Sequence, residues 1–137
     1  MMATGKRILI FFVVVILATP VFANFKYFKM VQLSAEVYRV ECKVDQMKLV
    51  DADEDKQAFY INLKSNRNNF EMVMLVGFIA AGEAMKIGIE PDVFFVRVQI
   101  PLGEGFELLA TASKEDLKRL MSGEINTAQF ARIIQYL

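Results

Sequence analysis

The sequence predicts an α+β fold in the order β-β-α-β-β-α-α, with a four-stranded, mainly antiparallel sheet packed against a central apolar helix and two short C-terminal helices. Three observations predict it. Two pairs of segments alternate apolar and polar residues, and each pair is joined by a charged or glycine-containing stretch. One helical run, apolar on every side, lies between the pairs. No strand–helix–strand alternation repeats along the chain, as a doubly wound parallel sheet would require.

Residues 1–23 read as an export signal. Lys6 and Arg7 form a short positive region, and an unbroken apolar run follows from Ile8 to Ala18. Thr19-Pro20 interrupts it before Val21-Phe22-Ala23, which places apolar or small residues where a signal peptidase needs them. The run is far shorter than the roughly 20 residues that span a bilayer. Cleavage after Ala23 would leave a single compact domain, residues 24–137, periplasmic or secreted. The alternative is an uncleaved membrane anchor, with Phe25, Tyr27 and Phe28 among Lys26 and Lys29 at the headgroup boundary. The preferred reading of these aromatics is the first strand or lead-in of the fold.

Val37–Val44 supplies the first predicted strand. Tyr38, Val40, Cys42 and Val44 share one phase, against Arg39, Glu41 and Lys43 on the other, and the strand is free to run on toward Val50. A helical reading through Leu33, Val37, Val40, Val44 and Met47 is the weaker one. The acidic run Asp51–Asp55 then reads as a hairpin turn, because Phe59, Ile61 and Leu63 alternate with Tyr60, Asn62 and Lys64 directly after it.

The stretch from Ser65 to Asn69 is rich in capping residues and opens a helix from about Phe70 to Lys86. Met72 to Gly82 is apolar throughout. Val73, Gly77, Ala81 and Ala84 form a small-residue face, and Met72, Leu75, Val76 and Ile79 a larger one. Such a helix must be covered twice, once by the sheet and once by the C-terminal helices or a second subunit. Gly88 and Pro91 end it.

Phe94, Val96, Val98 and Ile100 alternate with Phe95, Arg97 and Gln99, and Phe106–Ala112 alternates after the turn Pro101–Gly105, giving the second hairpin. Ser113, with Asp116 three residues on, caps a helix running to about Met121. Asn126 or Thr127 caps a last helix carrying Phe130, Ile133, Ile134 and Leu137 on one side.

Composition excludes more chemistry than it suggests. Basic and acidic residues number 16 each, and once Lys6 and Arg7 leave with the signal the acids are in excess by two, the opposite of a nucleic-acid binder. Histidine is absent and Cys42 is the sole cysteine, so there is no internal disulfide, no histidine-activated nucleophile and no imidazole metal site. Cys42 reads as a buried, inert hydrophobe. Asp51-x-Asp53-x-Asp55 opens like a calcium loop, but Lys56 stands where the sharp turn needs glycine and Asn62 where a bidentate glutamate belongs. Glu83, at the end of the apolar helix, has Lys86 as its natural partner. No catalytic residue, metal site or cofactor is predicted, and the chain does not read as an enzyme.

The second face of the sheet is the candidate for function. With all apolar phases toward the helices, the other face collects Arg39, Glu41, Lys43, Tyr60, Asn62, Lys64, Phe95, Arg97, Gln99, Leu109 and Thr111. Among these, Tyr60 and Phe95 would anchor a partner, and Asn62, Arg97 and Gln99 would orient it. The sequence therefore predicts an exported, non-enzymatic binding domain acting on a protein partner or as a homodimer. Alternatives are a membrane-anchored structural or assembly subunit and a carrier of a small apolar ligand held in the Met- and Phe-rich interior.

Overall fold

A computed structural model describes residues 23–137 except 54, 67 and 102–104. Of the residues assigned to export, 1–22 lie outside the described part, as does most of the turn between the last two predicted strands. The class is α+β, as the patterning predicts, but the element order differs at both ends.

The described chain begins in a helix, α1, over residues 23–37, where a strand or lead-in was expected. The helix period explains it: Tyr27, Val31 and Ala35 stand one turn apart and are fully buried, with Ser34 beside them. The Tyr27 hydroxyl donates to the Ala81 carbonyl at 2.9 Å, and its ring meets Phe59 edge-on at 5.3 Å. The end of α1 is closed by Arg39 in the left-handed region at φ 61. Val40 N–H reaches the Ala35 carbonyl and Arg39 N–H the Glu36 carbonyl, the pairing of a Schellman cap, with Val40 and Ala35 both buried.

Val37–Val44 is therefore not a strand. The alternation is nonetheless physical. Val40 and Cys42 are buried and Glu41 and Lys43 exposed, so the segment is extended with one side inward. What it lacks is a neighbouring strand: the Cys42 carbonyl is satisfied by the Gln32 side-chain amide at 2.9 Å. Burial, with a lesser contribution from Glu36, raises the Cys42 thiol to about 11. A short 3-10 turn, Val44–Gln46, leads into β1, Met47–Asp53.

From β2 onward the predicted elements appear in order, whereas β1 lies C-terminal to the predicted first strand. β1 and β2 (Lys56–Lys64) form the first hairpin, and Asp51–Asp53, expected in its turn, instead continue β1, with Asp51 opposite Gln57 and Asp53 opposite Lys56. α2 spans Phe70–Ala84 and continues as a 3-10 turn to Ile87, where Gly88 adopts φ 100. β3 (Val93–Ile100) and β4 (Phe106–Ser113) form the second hairpin. The Ser113 hydroxyl accepts from Asp116 N–H and caps α3, Lys114–Met121. Asn126 and Gln129 form a capping box at the start of α4, Thr127–Ile133. The last helix is shorter than predicted. Phe130 and Ile134 are buried, whereas Ile133 and Leu137 are not, and Gln135–Tyr136 forms a short strand, β5, against β4.

The sheet thus has five strands, not four, in the order β1-β2-β3-β4-β5. It is mixed: β2 and β3 run parallel, joined by the α2 crossover, and the other three pairings are antiparallel. Asp92, just before β3, ties this crossover down. Its carboxylate accepts from Gln57 N–H at 2.7 Å and lies 3.5 Å from Lys114, and these contacts hold it below the usual carboxylate range.

α2 is covered within the chain. Gly77 lies against Leu63 and Val96 of the sheet. Tyr27 of α1 reaches Ala81, Phe78 packs edge-on against Phe130 of α4, and Gly82 abuts Leu117 and Met121 of α3. Helices account for the second cover, and no second subunit is needed to bury α2.

The two helix glycines predict outcomes of different size. A Cβ at Gly77 would sit 2.9 Å from Val96 Cγ1 and 3.0 Å from Leu63 Cδ1, both fully buried. Overpacking of about 1–3 kcal/mol outweighs the gain in helix propensity of about 1 kcal/mol, so Gly77→Ala destabilises. At Gly82 the nearest atoms are Met121 Cγ and Sδ at 3.0 Å, on a flexible and partly exposed side chain, with buried Leu117 Cγ at 3.1 Å, so Gly82→Ala costs less than Gly77→Ala. Urea unfolding of both variants checks the contrast.

Candidate functional site

All the helices that bury α2 lie on one side of the sheet, with Phe59, Ile61, Leu63, Phe94, Val96 and Val98 facing them. The register fixes what occupies the other side. One rung across the strands is Lys48, Tyr60, Phe95, Thr111 and Gln135. The next is Asn62, Arg97 and Leu109, and the one beyond it Lys64, Gln99 and Glu107. The parallel β2–β3 pairing places Tyr60 beside Phe95 and Asn62 beside Arg97.

Tyr60 and Phe95 stack with ring centroids 4.6 Å apart and planes 7° from parallel. The Lys48 ammonium lies 5.1 Å from the Tyr60 centroid. The Tyr60 ring is thus engaged by Phe95 and by Lys48, so this pair is not built to stack a sugar or a base between its faces. It offers a partner ring edges, a phenol hydroxyl and flanking cations. Arg97 Nε lies 3.9 Å from Glu107, with both side chains about half exposed, a contact that contributes little to stability.

Tyr60, Asn62, Phe95 and Arg97 line one depression together with Lys48 and Leu109. Gln99, predicted to act with them, is one rung away and donates to Glu107 at 3.2 Å. Arg39, Glu41 and Lys43, expected on this face, are not on the sheet at all. Lys48 and Val50 take the corresponding edge positions, because β1 begins at Met47. Sequence reasoning missed Lys48, although Lys48 and Val50 do alternate with Met47 and Leu49, which face the core.

The depression measures about 120 Å³. Small-molecule sites enclose about 300–1,000 Å³, so this hollow is a contour of a contact surface and not a ligand pocket. The charge of the open sheet face as a whole is uneven: Lys48, Lys64 and Arg97 share it with a single carboxylate, Glu107, in a chain whose residues 24–137 are acidic overall. No nucleophile–base pair lies on it. Glu83, elsewhere, takes a hydrogen bond from the Tyr38 hydroxyl at 3.4 Å, and among the described residues no ion pair joins it to Lys86. That carboxylate, more than burial, raises the Tyr38 phenol. Among the described residues no group of three or more acidic or cysteine side chains is placed to hold a metal ion. Compared with known proteins, the chain matches no family model, no curated protein and no solved structure.

Proposed function

We propose that residues 24–137 form an exported, non-enzymatic binding domain that docks an acidic surface of a partner protein on the open face of its sheet. The observation that supports this reading is the one-sided cover. Every helix packs on the core face, and the opposite face combines half-buried aromatic anchors with an excess of cations. Phe95 and Tyr60 supply apolar area at the centre, while Lys48, Arg97 and Lys64 around them steer an acidic partner and fix its orientation.

Replacing Phe95 by Ala and Arg97 by Glu in one variant tests the reading. Partner binding should weaken by at least about 2 kcal/mol, with weaker salt dependence, while the domain stays folded and loses about 2–3 kcal/mol of stability for the half-buried ring and its aromatic pair. Unaltered binding would exclude this face as the docking surface.

A membrane-held version of the same domain is favoured by one observation. α1 exposes Phe25 and Leu33 beside Lys26 and Lys29, immediately beyond the apolar N-terminal run, a composition suited to a headgroup boundary. Among the described residues no helix is long and apolar enough to cross a membrane. Intact mass of the protein isolated from cells separates the two versions. A chain beginning at Asn24 in the soluble fraction supports export with cleavage; a full-length chain in the membrane fraction supports the anchored subunit.

A further inference from the structure

Arg39 and Lys43, which lie off the sheet, meet Lys64 at the end of β2 in a second place. Arg39, Lys43 and Lys64 line one open cleft of about 420 Å³, between the segment after α1 and the start of α2. The cavity lies within the size range of small-molecule sites, unlike the depression on the sheet face. Its wall carries one acid, Glu41, against three cations, an excess of two positive charges. Elsewhere Arg97, Lys114, Lys118 and Arg119 each have a carboxylate within ion-pair distance. Among the described residues, none of the three cleft cations does, a trait they share with Lys26, Lys29, Lys48, Lys56, Lys86 and Arg132; what sets the three apart is that they line one cavity. Like charges converging on one cavity repel, and that repulsion is relieved when an anion enters.

The rest of the lining restricts the ligand further. Val40, Met72 and Val73 give the cleft an apolar wall, with Met72 half exposed to it and to solvent. Asn69 also lines the cleft and adds side-chain hydrogen-bonding groups. A fully hydrated inorganic ion would leave the apolar wall unused. A neutral apolar molecule would leave the cations unused.

We propose that this cleft binds a small amphiphilic anion, with a carboxylate or phosphate headgroup among Arg39, Lys43 and Lys64 and its short apolar chain against Val40, Met72 and Val73. The site is separate from the sheet-face partner surface, although Lys64 borders both. It stands or falls independently of that surface, since Phe95 and Arg97 do not line it.

The test is a titration of the protein as isolated with octanoate and octyl phosphate, followed by amide NMR, with octyl glucoside as the neutral control. The proposal expects saturable shifts at Val40, Lys43, Asn69 and Val73 for both anions and none there for the glucoside. Lys43→Gln with Lys64→Gln should weaken binding by about tenfold or more, since both charges lie on the wall. Arg39→Gly gives the sharper discrimination. Arginine holds a left-handed backbone position that glycine adopts more easily, so this variant should melt at a higher temperature while binding the anions less tightly. Vesicles of phosphatidylglycerol distinguish the source of the headgroup. If they bind, the lysine pair abolishes that binding and the free anions do not bind, a lipid surface is the ligand and the proposal of a small free anion is overturned. It is equally overturned if the anions cause no saturable shift, if the glucoside shifts the same amides, or if the variants bind as the parent does.

Discussion

Tyr27→Ala should lower the stability of this domain by about 3–5 kcal/mol. Tyr27 is completely buried, and its ring touches Phe59 and Phe28 edge-on, with Phe59 in turn packed on Phe94. Removing it opens a cavity where α1, α2 and the sheet meet, and leaves one carbonyl acceptor of Ala81 without its partner. Tyr27→Phe isolates that second effect and should lose only about 1 kcal/mol. Urea unfolding checks both; a Tyr27→Ala loss under about 1 kcal/mol would mean α1 is not part of the core. The same residue sets a pH dependence. Burial raises the Tyr27 phenol far above its ordinary 10.0 and the Cys42 thiol from 9.0 to about 11. Both stay neutral in the fold and ionise more readily when unfolded. The stability these two groups contribute is therefore present in full well below pH 9 and falls as the pH rises through the unfolded values toward the folded ones. Tyr27→Phe should show a shallower alkaline decline than the parent, although its stability at neutral pH is lower.

Phe130→Ala is expected to lose a similar amount, about 3–5 kcal/mol, and with a different consequence. Phe130 is fully buried and meets Phe78 of α2 at 5.5 Å with planes 77° apart. α4 has only seven residues, too few to hold a helix without tertiary packing. Its anchor lost, α4 and β5 should detach and uncover the outer face of α2. Light scattering should then show concentration-dependent association that the parent does not share, because α2 is apolar on all sides. A variant that stays monomeric and loses less than about 1 kcal/mol would mean that the C-terminal helix is not what covers α2.

The elements legible in the sequence were those whose pattern is local. α2, β2, β3, β4, the β3–β4 hairpin and the Ser113 and Asn126 caps follow from periodicity and capping chemistry within a few residues. The misreadings share a cause. Alternation at Val37–Val44 reports an extended chain with one side buried; it does not report whether a strand lies alongside, and here the Gln32 amide stands where a strand would. The helical spacing of Tyr27, Val31 and Ala35 was present, but the neighbouring apolar run and its aromatics suggested a lead-in. The parallel β2–β3 pairing is a property of the α2 crossover, invisible in either strand alone. β5 is two residues long and carries no pattern at all. For the candidate site, the phase of β2 and β3 was enough to collect Tyr60, Asn62, Phe95 and Arg97 around one hollow. Lys48 was lost with the misplaced first strand, and Gln99 was placed with them because phase does not resolve one rung from the next.

In the proposed mode of docking a partner protein sits on the uncovered, cation-rich face of the sheet. A photo-crosslinking side chain at Leu109, on that face, would identify the bound protein in cells, and the same group at Glu115 on α3 serves as the control. The decisive measurement is then amide and side-chain NMR of the domain titrated with that purified protein. Shifts should centre on Lys48, Tyr60, Asn62, Arg97 and Leu109, the partner's contact surface should be acidic, and affinity should fall as salt rises. Shifts centred instead on α1, or on α3 and the exposed side of α2, would contradict this mode of docking.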